Sequence, residues 1–111
     1  MSKFWKTEIP KTNYYAVIFC STRSTDLEGY ATMDEKTIEK VKTLDGFLGY
    51  ENIKNGDDGI FISYWRDMDS IEKWKHDAMH KEAKQYGYSK WYTRILTQIC
   101  KVELSNEFVK E

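Results

Sequence analysis

Three stretches of this chain place apolar residues at both the odd and the even positions of a strand, so the sheet they form needs cover on both faces. In residues 14–23, Tyr15, Val17 and Phe19 point one way, while Tyr14, Ala16, Ile18 and Cys20 point the other. Residues 60–66 set Ile60, Ile62 and Tyr64 against Phe61 and Trp65, and residues 92–104 set Leu96, Cys100, Val102 and Leu104 against Ile95 and Ile99. A sheet with one wet face would alternate apolar and polar instead. Helices can cover one face. The other needs a partner, because a monomer rarely exposes an apolar patch of that extent, and a two-fold homodimer joining two sheets is the simplest answer.

The intervening segments supply the helices. Met33, Thr37, Ile38, Val41 and Leu44 keep helical spacing across residues 30–44, with Glu35, Lys36, Glu39, Lys40 and Lys42 on the opposite face. Asp45-Gly46 ends that helix, glycine being the common left-handed stop. A strand over 47–54, the tight turn Asn55-Gly56-Asp57-Asp58-Gly59 and a strand over 60–66 form a hairpin. Asp69 and Glu72 have capping-box spacing, which opens a second helix over 70–86 that Gly87 terminates. The order strand–helix–strand–strand–helix–strand predicts an α+β domain of ferredoxin-like βαββαβ topology, with an antiparallel sheet and both helices on one face. Residues 1–13 are an extended lead-in marked by Pro10, 14–104 the domain, and 105–111 a charged tail.

Charge narrows the partners. With 17 basic against 18 acidic residues there is no electrostatic footprint for nucleic acid or an anionic membrane. The start Met1-Ser2-Lys3-Phe4-Trp5-Lys6 lacks a signal-peptide core, and no apolar run has membrane-spanning length. A cytoplasmic setting is expected, with Cys20 and Cys100 on neighbouring strands as buried, reduced thiols. No Gly-x-Gly-x-x-Gly or Walker motif occurs, and no cofactor is expected.

Pro10 to Ser21, Gly46-Phe47-Leu48-Gly49-Tyr50-Glu51, Ile62-Ser63-Tyr64-Trp65, Trp74-Lys75, His80, Ala83, Gly87, Trp91-Tyr92 and Val102-Glu103 together carry a resemblance. Through them most of the chain resembles the antibiotic-biosynthesis-monooxygenase-like family of dimeric α/β-barrel proteins. The resemblance implies a homodimer, a cavity between sheet and helices, and relatives that include cofactor-independent oxygenases of polycyclic phenols and haem-degrading enzymes. The sequence departs from the family pattern at Asp45, where proline is common, and at Tyr88, Gln98 and Leu104, where arginine is usual.

His80 is the catalytic candidate, since histidine alone has an unperturbed pKa near neutrality and a cofactor-free oxygenase needs a base to form an electron-rich carbanion. Counting 100° per residue along one continuous helix sets His80 opposite Ile71, away from the sheet. His76 and His80 share the i, i+4 spacing of a chelate, yet no third ligand accompanies them, so no metal site is expected. Trp65, Trp74, Trp91 and Tyr92 are candidates to line a pocket for a small hydrophobic or aromatic molecule. Haem-degrading relatives carry an Asn on the first strand and a ligand His ten residues after the helical Trp. Here Trp74 matches, but the ligand position is Lys84 and residues 14–23 hold no Asn. The expected function is a cofactor-independent monooxygenase acting on such a molecule. The alternatives are a non-catalytic dimeric ligand-binding or stress-associated protein and a haem-degrading monooxygenase.

Overall fold

The computed structural model describes residues 4–110, and of Ala78 and Met79 the backbone only. Four strands, β1 (Tyr14–Arg23), β2 (Phe47–Asn55), β3 (Asp58–Trp65) and β4 (Tyr92–Val102), form one antiparallel sheet in the order β2-β3-β1-β4. That is the ferredoxin-like arrangement expected from the element order. The helices α1 (Tyr30–Val41), α2 (Met68–Lys75) and α3 (Ala78–Tyr86) pack on one face, and a π-helical turn (Gly87–Trp91) leads into β4. No described helix is long and apolar enough to cross a membrane.

Register turns the alternation of the sequence into two distinct faces. Opposite Val17 and Phe19 of β1 lie Ser63 and Phe61 of β3, and on the other side Ile99 and Thr97 of β4. This inner row faces the helices. The outer row pairs Ile18 with Ile62 and Cys20 with Ile60, while Leu96 faces Cys20 and Cys100 faces Ala16. Cys20 and Cys100 are therefore four residues apart along β1, about 13 Å at strand rise and outside disulfide reach. The expectation of two buried thiols is corrected: Cys20 is half-buried and Cys100 exposed.

The core lies at the β2–β3 end of the inner face. Val41, Phe47, Trp65, Ile71 and Trp74 are buried together there, with Tyr15, Val17, Leu44 and Tyr50 packed against them. The helix expected over 30–44 already ends at Val41, capped by Lys42, and Gly46, left-handed at φ 88°, turns the chain into β2 rather than stopping the helix. Beside it Asp45 takes Arg66 in a two-pronged pair with both N–O distances 3.1 Å. Hydrogen bonding to Arg66 holds the Asp45 carboxyl below its ordinary range.

Two local features differ from expectation. Asp67, not Asp69, caps α2: its carboxylate accepts from the Ser70 amide at 2.9 Å and the Ser70 hydroxyl at 2.7 Å. These bonds, with Arg66 beside them, lower its pKa to about 2. The described part of the lead-in, residues 4–13, is largely turns and bends rather than one extended run, and it pairs with the edge of β2, Lys6 donating to Leu48 and Tyr50 to Phe4. Trp5 is buried against the outer face, stacked on Tyr64 at 4.4 Å and edge-on to Tyr14 at 6.0 Å. Gly49 makes room for it, since a Cβ there would stand 2.7 Å from the indole. Beyond Trp5 the outer face stays open, with Ile53, Ile60 and Leu96 exposed.

Candidate active site

Between the inner face and the helices lies a cavity of about 560 Å³. Its floor is the inward row of the sheet, Val17, Phe19, Phe61, Thr97 and Ile99 among them. Its roof begins with Met33, Thr37, Ile38 and Val41 of α1, whose spacing keeps them on one helical face. Ile71 and Trp74 of α2, His80 and Ala83 of α3, and Trp91 and Tyr92 after the π-turn complete it.

His80 reaches this wall because the second helix is broken. The continuous helix expected over 70–86 ends as α2 at Lys75, and α3 starts at Ala78. The Asp77 amide reaches back to Trp74, tightening the last turn, and Lys81 then bonds to the Asp77 carbonyl as α3 begins. Lys40 of α1 holds the junction from outside through Asp77 at 3.9 Å. The break resets the angular phase, so counting 100° per residue through it gives the wrong face for His80. It also separates the two histidines. His76 caps the C-terminus of α2 in solvent, 3.9 Å from Glu72, whereas His80 lines the cavity, and the shared helical face implied by their spacing does not exist. No group of three or more described His, Cys, Asp or Glu residues is placed to hold a metal ion.

The His80 ring meets Trp74 edge-on at 4.6 Å, and its Nδ1 is buried without a hydrogen-bond partner. Burial pushes its pKa below the ordinary 6.5; Lys84 adds to the shift and Asp77 opposes it. A neutral imidazole carries one ring N–H and one nitrogen lone pair, and the structure gives Nδ1 no partner for whichever it holds.

The aromatic candidates separate into two groups. Trp74, Trp91 and Tyr92 line the cavity. Trp91 is fixed by an indole hydrogen bond to the Glu28 carbonyl at 2.9 Å and by Tyr30, edge-on at 5.7 Å. Tyr92 packs edge-on to Phe19 at 5.5 Å, and burial, then Tyr30, pushes its phenol pKa up. Trp65 is not on the wall. Wholly buried, it donates to Ser63 Oγ at 2.8 Å and packs against Phe47 and Trp74, backing the cavity.

One end of the cavity is polar, and the candidate residues taken from the sequence omit it. Ser21 and Arg23 continue the inward row of β1, Asn52 and Lys54 that of β2, and Tyr30 and Asp34 come from the first turns of α1. Lys54 pairs with Asp34 at 3.3 Å and sits 5.1 Å above the Tyr30 ring. Burial works against the charged amine, but Asp34 and Tyr30 together outweigh it, and its pKa rises. The strand parity that marks Val17 and Phe19 as inward would also have marked Arg23. Parity alone does not reveal that α1 leaves this end open.

Known proteins share this architecture. Residues 11–102 match the profile of the family described as monooxygenase af470-like. The uncharacterized protein YqjZ of Bacillus subtilis (strain 168) is 37% identical over 103 residues, covering 92% of this chain and 90% of YqjZ. A conserved protein from Methanosarcina mazei Go1 superposes with a TM-score of 0.74 at 12% identity, over 83% of this chain and 95% of that one. SnoaB, a cofactor-independent oxygenase from Streptomyces nogalater, superposes with a TM-score of 0.70 at 10% identity, over 89% and 99% respectively. The chain belongs to the monooxygenase af470-like family, on the antibiotic-biosynthesis-monooxygenase-like fold that its sequence resembles.

Proposed function

We propose that this protein is a monooxygenase working without flavin, haem or metal on a flat hydrophobic aromatic molecule bound in the cavity. The observation that carries this reading is His80, half-buried on the wall of an aromatic-lined space of about 560 Å³ with its buried Nδ1 left without a partner. The neutral imidazole takes a proton from an acidic C–H between aromatic rings. The carbanion passes one electron to O₂, the two radicals combine, and the hydroperoxide loses water. In sum a CH₂ group and O₂ become C=O and H₂O, with the substrate as reductant. Closely packed apolar walls favour the step by keeping water from the carbanion.

Haem chemistry finds less support. The position of the relatives' ligand histidine is Lys84, on the cavity wall 5.6 Å from the Tyr88 ring, and an ammonium group has no lone pair for iron.

The test is dioxygen uptake with 1,8-dihydroxyanthrone as substrate and no added cofactor. The expected result is saturable uptake above the spontaneous rate, with one O₂ consumed per anthraquinone formed. Uptake equal to the spontaneous rate would overturn the reading.

The open outer face supports a homodimer as the working form. Ile18 and Ile62 form the middle pair of its apolar row. Sedimentation should give twice the chain mass for the native protein and a monomer for Ile18→Glu, which buries a charge in the joint. A native monomer at micromolar concentration would contradict the dimer. A cytoplasmic setting, where thiols stay reduced, suits the free Cys20 and Cys100.

A further inference from the structure

The chain as a whole carries a formal charge of −1, but its cavity does not share that balance. Arg23, Lys54, Lys75 and Lys84 stand on the wall against a single carboxylate, Asp34. Two of these cations are already paired, Lys54 with Asp34 at 3.3 Å and Lys75 with Glu72 at 3.4 Å. Arg23 and Lys84 take part in no ion pair among the described residues.

Arg23 is the better placed of the two. It ends the inward row of β1, is half-buried, and donates through one terminal nitrogen to the Gly56 carbonyl in the β2–β3 turn. Its guanidinium lies 5.8 Å from the centre of the Tyr30 ring. A guanidinium has five N–H donors, and the rest of this one have no acceptor among the described residues. The side chain lies over Gly59, its Nη1 3.7 Å from where a Cβ there would stand. Ser21 faces Gly59, which has no side chain, and one step along Phe19 faces Phe61. A charged end thus passes directly into an aromatic floor.

We propose that the cavity's ligand is a flat aromatic carboxylate, with its carboxylate against Arg23 and its rings on Phe19 and Phe61. A planar carboxylate accepts two parallel N–H bonds from the guanidinium fork, and a half-buried arginine without a counter-ion gains most from such a partner. This inference rests on the cavity being the ligand site and names the class of molecule that it takes.

Fluorescence titration of the intact protein with 9-anthracenecarboxylate and with its neutral carboxamide tests it. The native protein should bind the acid about tenfold more tightly than the amide, the size expected of one charge-assisted pair at a partly solvated site. Arg23→Gln should remove that preference, weakening the acid far more than the amide, and Arg23→Lys should keep part of it. Equal affinity of the native protein for both probes overturns the inference while the cavity stands as a ligand site. A preference that survives in Arg23→Gln overturns the role of Arg23. Binding of neither probe overturns the inference together with the reading of the cavity.

Discussion

Replacing Trp65 with alanine should destabilise the protein by about 3–5 kcal/mol, the range for truncating a fully buried tryptophan. The side chain has 0% exposure and joins three parts of the molecule. Phe47 of β2 meets it edge-on at 5.4 Å, Trp74 of α2 stacks at 6.4 Å, and Ser63 of its own strand accepts its indole hydrogen. Removing it leaves a void under Trp74 and takes the donor from a buried hydroxyl, so transfer and hydrogen-bond losses act together. Small domains have roughly 5–15 kcal/mol of total stability, so the variant should be partly unfolded at 37 °C. Trp65→Phe, which keeps the ring contacts and loses the hydrogen bond, should cost about 1–2 kcal/mol. Urea unfolding of the three proteins checks both figures. A loss below 1 kcal/mol for the alanine variant would mean that β2, β3 and α2 are not joined through this side chain.

His80→Ala should leave the fold intact and lower kcat/KM for the anthrone oxidation by about 10²–10⁴, the usual contribution of a positioned general base. The half-buried ring meets Trp74 edge-on but is not itself part of the buried core cluster, so unfolding should not account for the loss. The pH dependence separates a base from a packing residue. Because burial holds the His80 pKa below 6.5 in the folded chain, the base is free throughout the neutral range. The native rate should therefore be level above pH 6.5 and fall as pH drops through the folded pKa. Stability follows the same sign. Below pH 6.5 the unfolded chain takes up this proton before the folded one does, so His80 weakens the fold progressively as pH falls toward its folded pKa. His80→Gln should remove that component of the slope. A variant that keeps native turnover would remove His80 from the chemistry.

Strands were the most legible part of this chain. Residues 14–23 form β1 with the expected bounds, because β-branched and aromatic residues crowd there and a period of two admits only one assignment of faces. The same parity identified the outer row that stays open. What could not be read was the phase of the second helix. Neither glycine nor proline marks the break at His76 and Asp77, and the ion pair beside it comes from Lys40, a residue distant in sequence. An error of one junction was enough to point His80 away from its true place. Trp5 escaped for a related reason: its burial depends on the absence of a side chain at Gly49, a contact that local patterning does not encode. Of the aromatic candidates, Trp74, Trp91 and Tyr92 line the cavity and Trp65 backs it, since hydrophobicity identifies a buried tryptophan without saying which side of a wall it occupies.

The account turns on His80 being an accessible, neutral base inside the cavity. Nitrogen NMR of histidine-labelled protein across pH 4–8, with and without 9-anthracenecarboxylate, reads this directly. The account predicts that His80 titrates below 6.5 and that its ring nitrogens shift when the ligand binds. A His80 that titrates at or above 6.5 and does not respond to the bound ligand would contradict it.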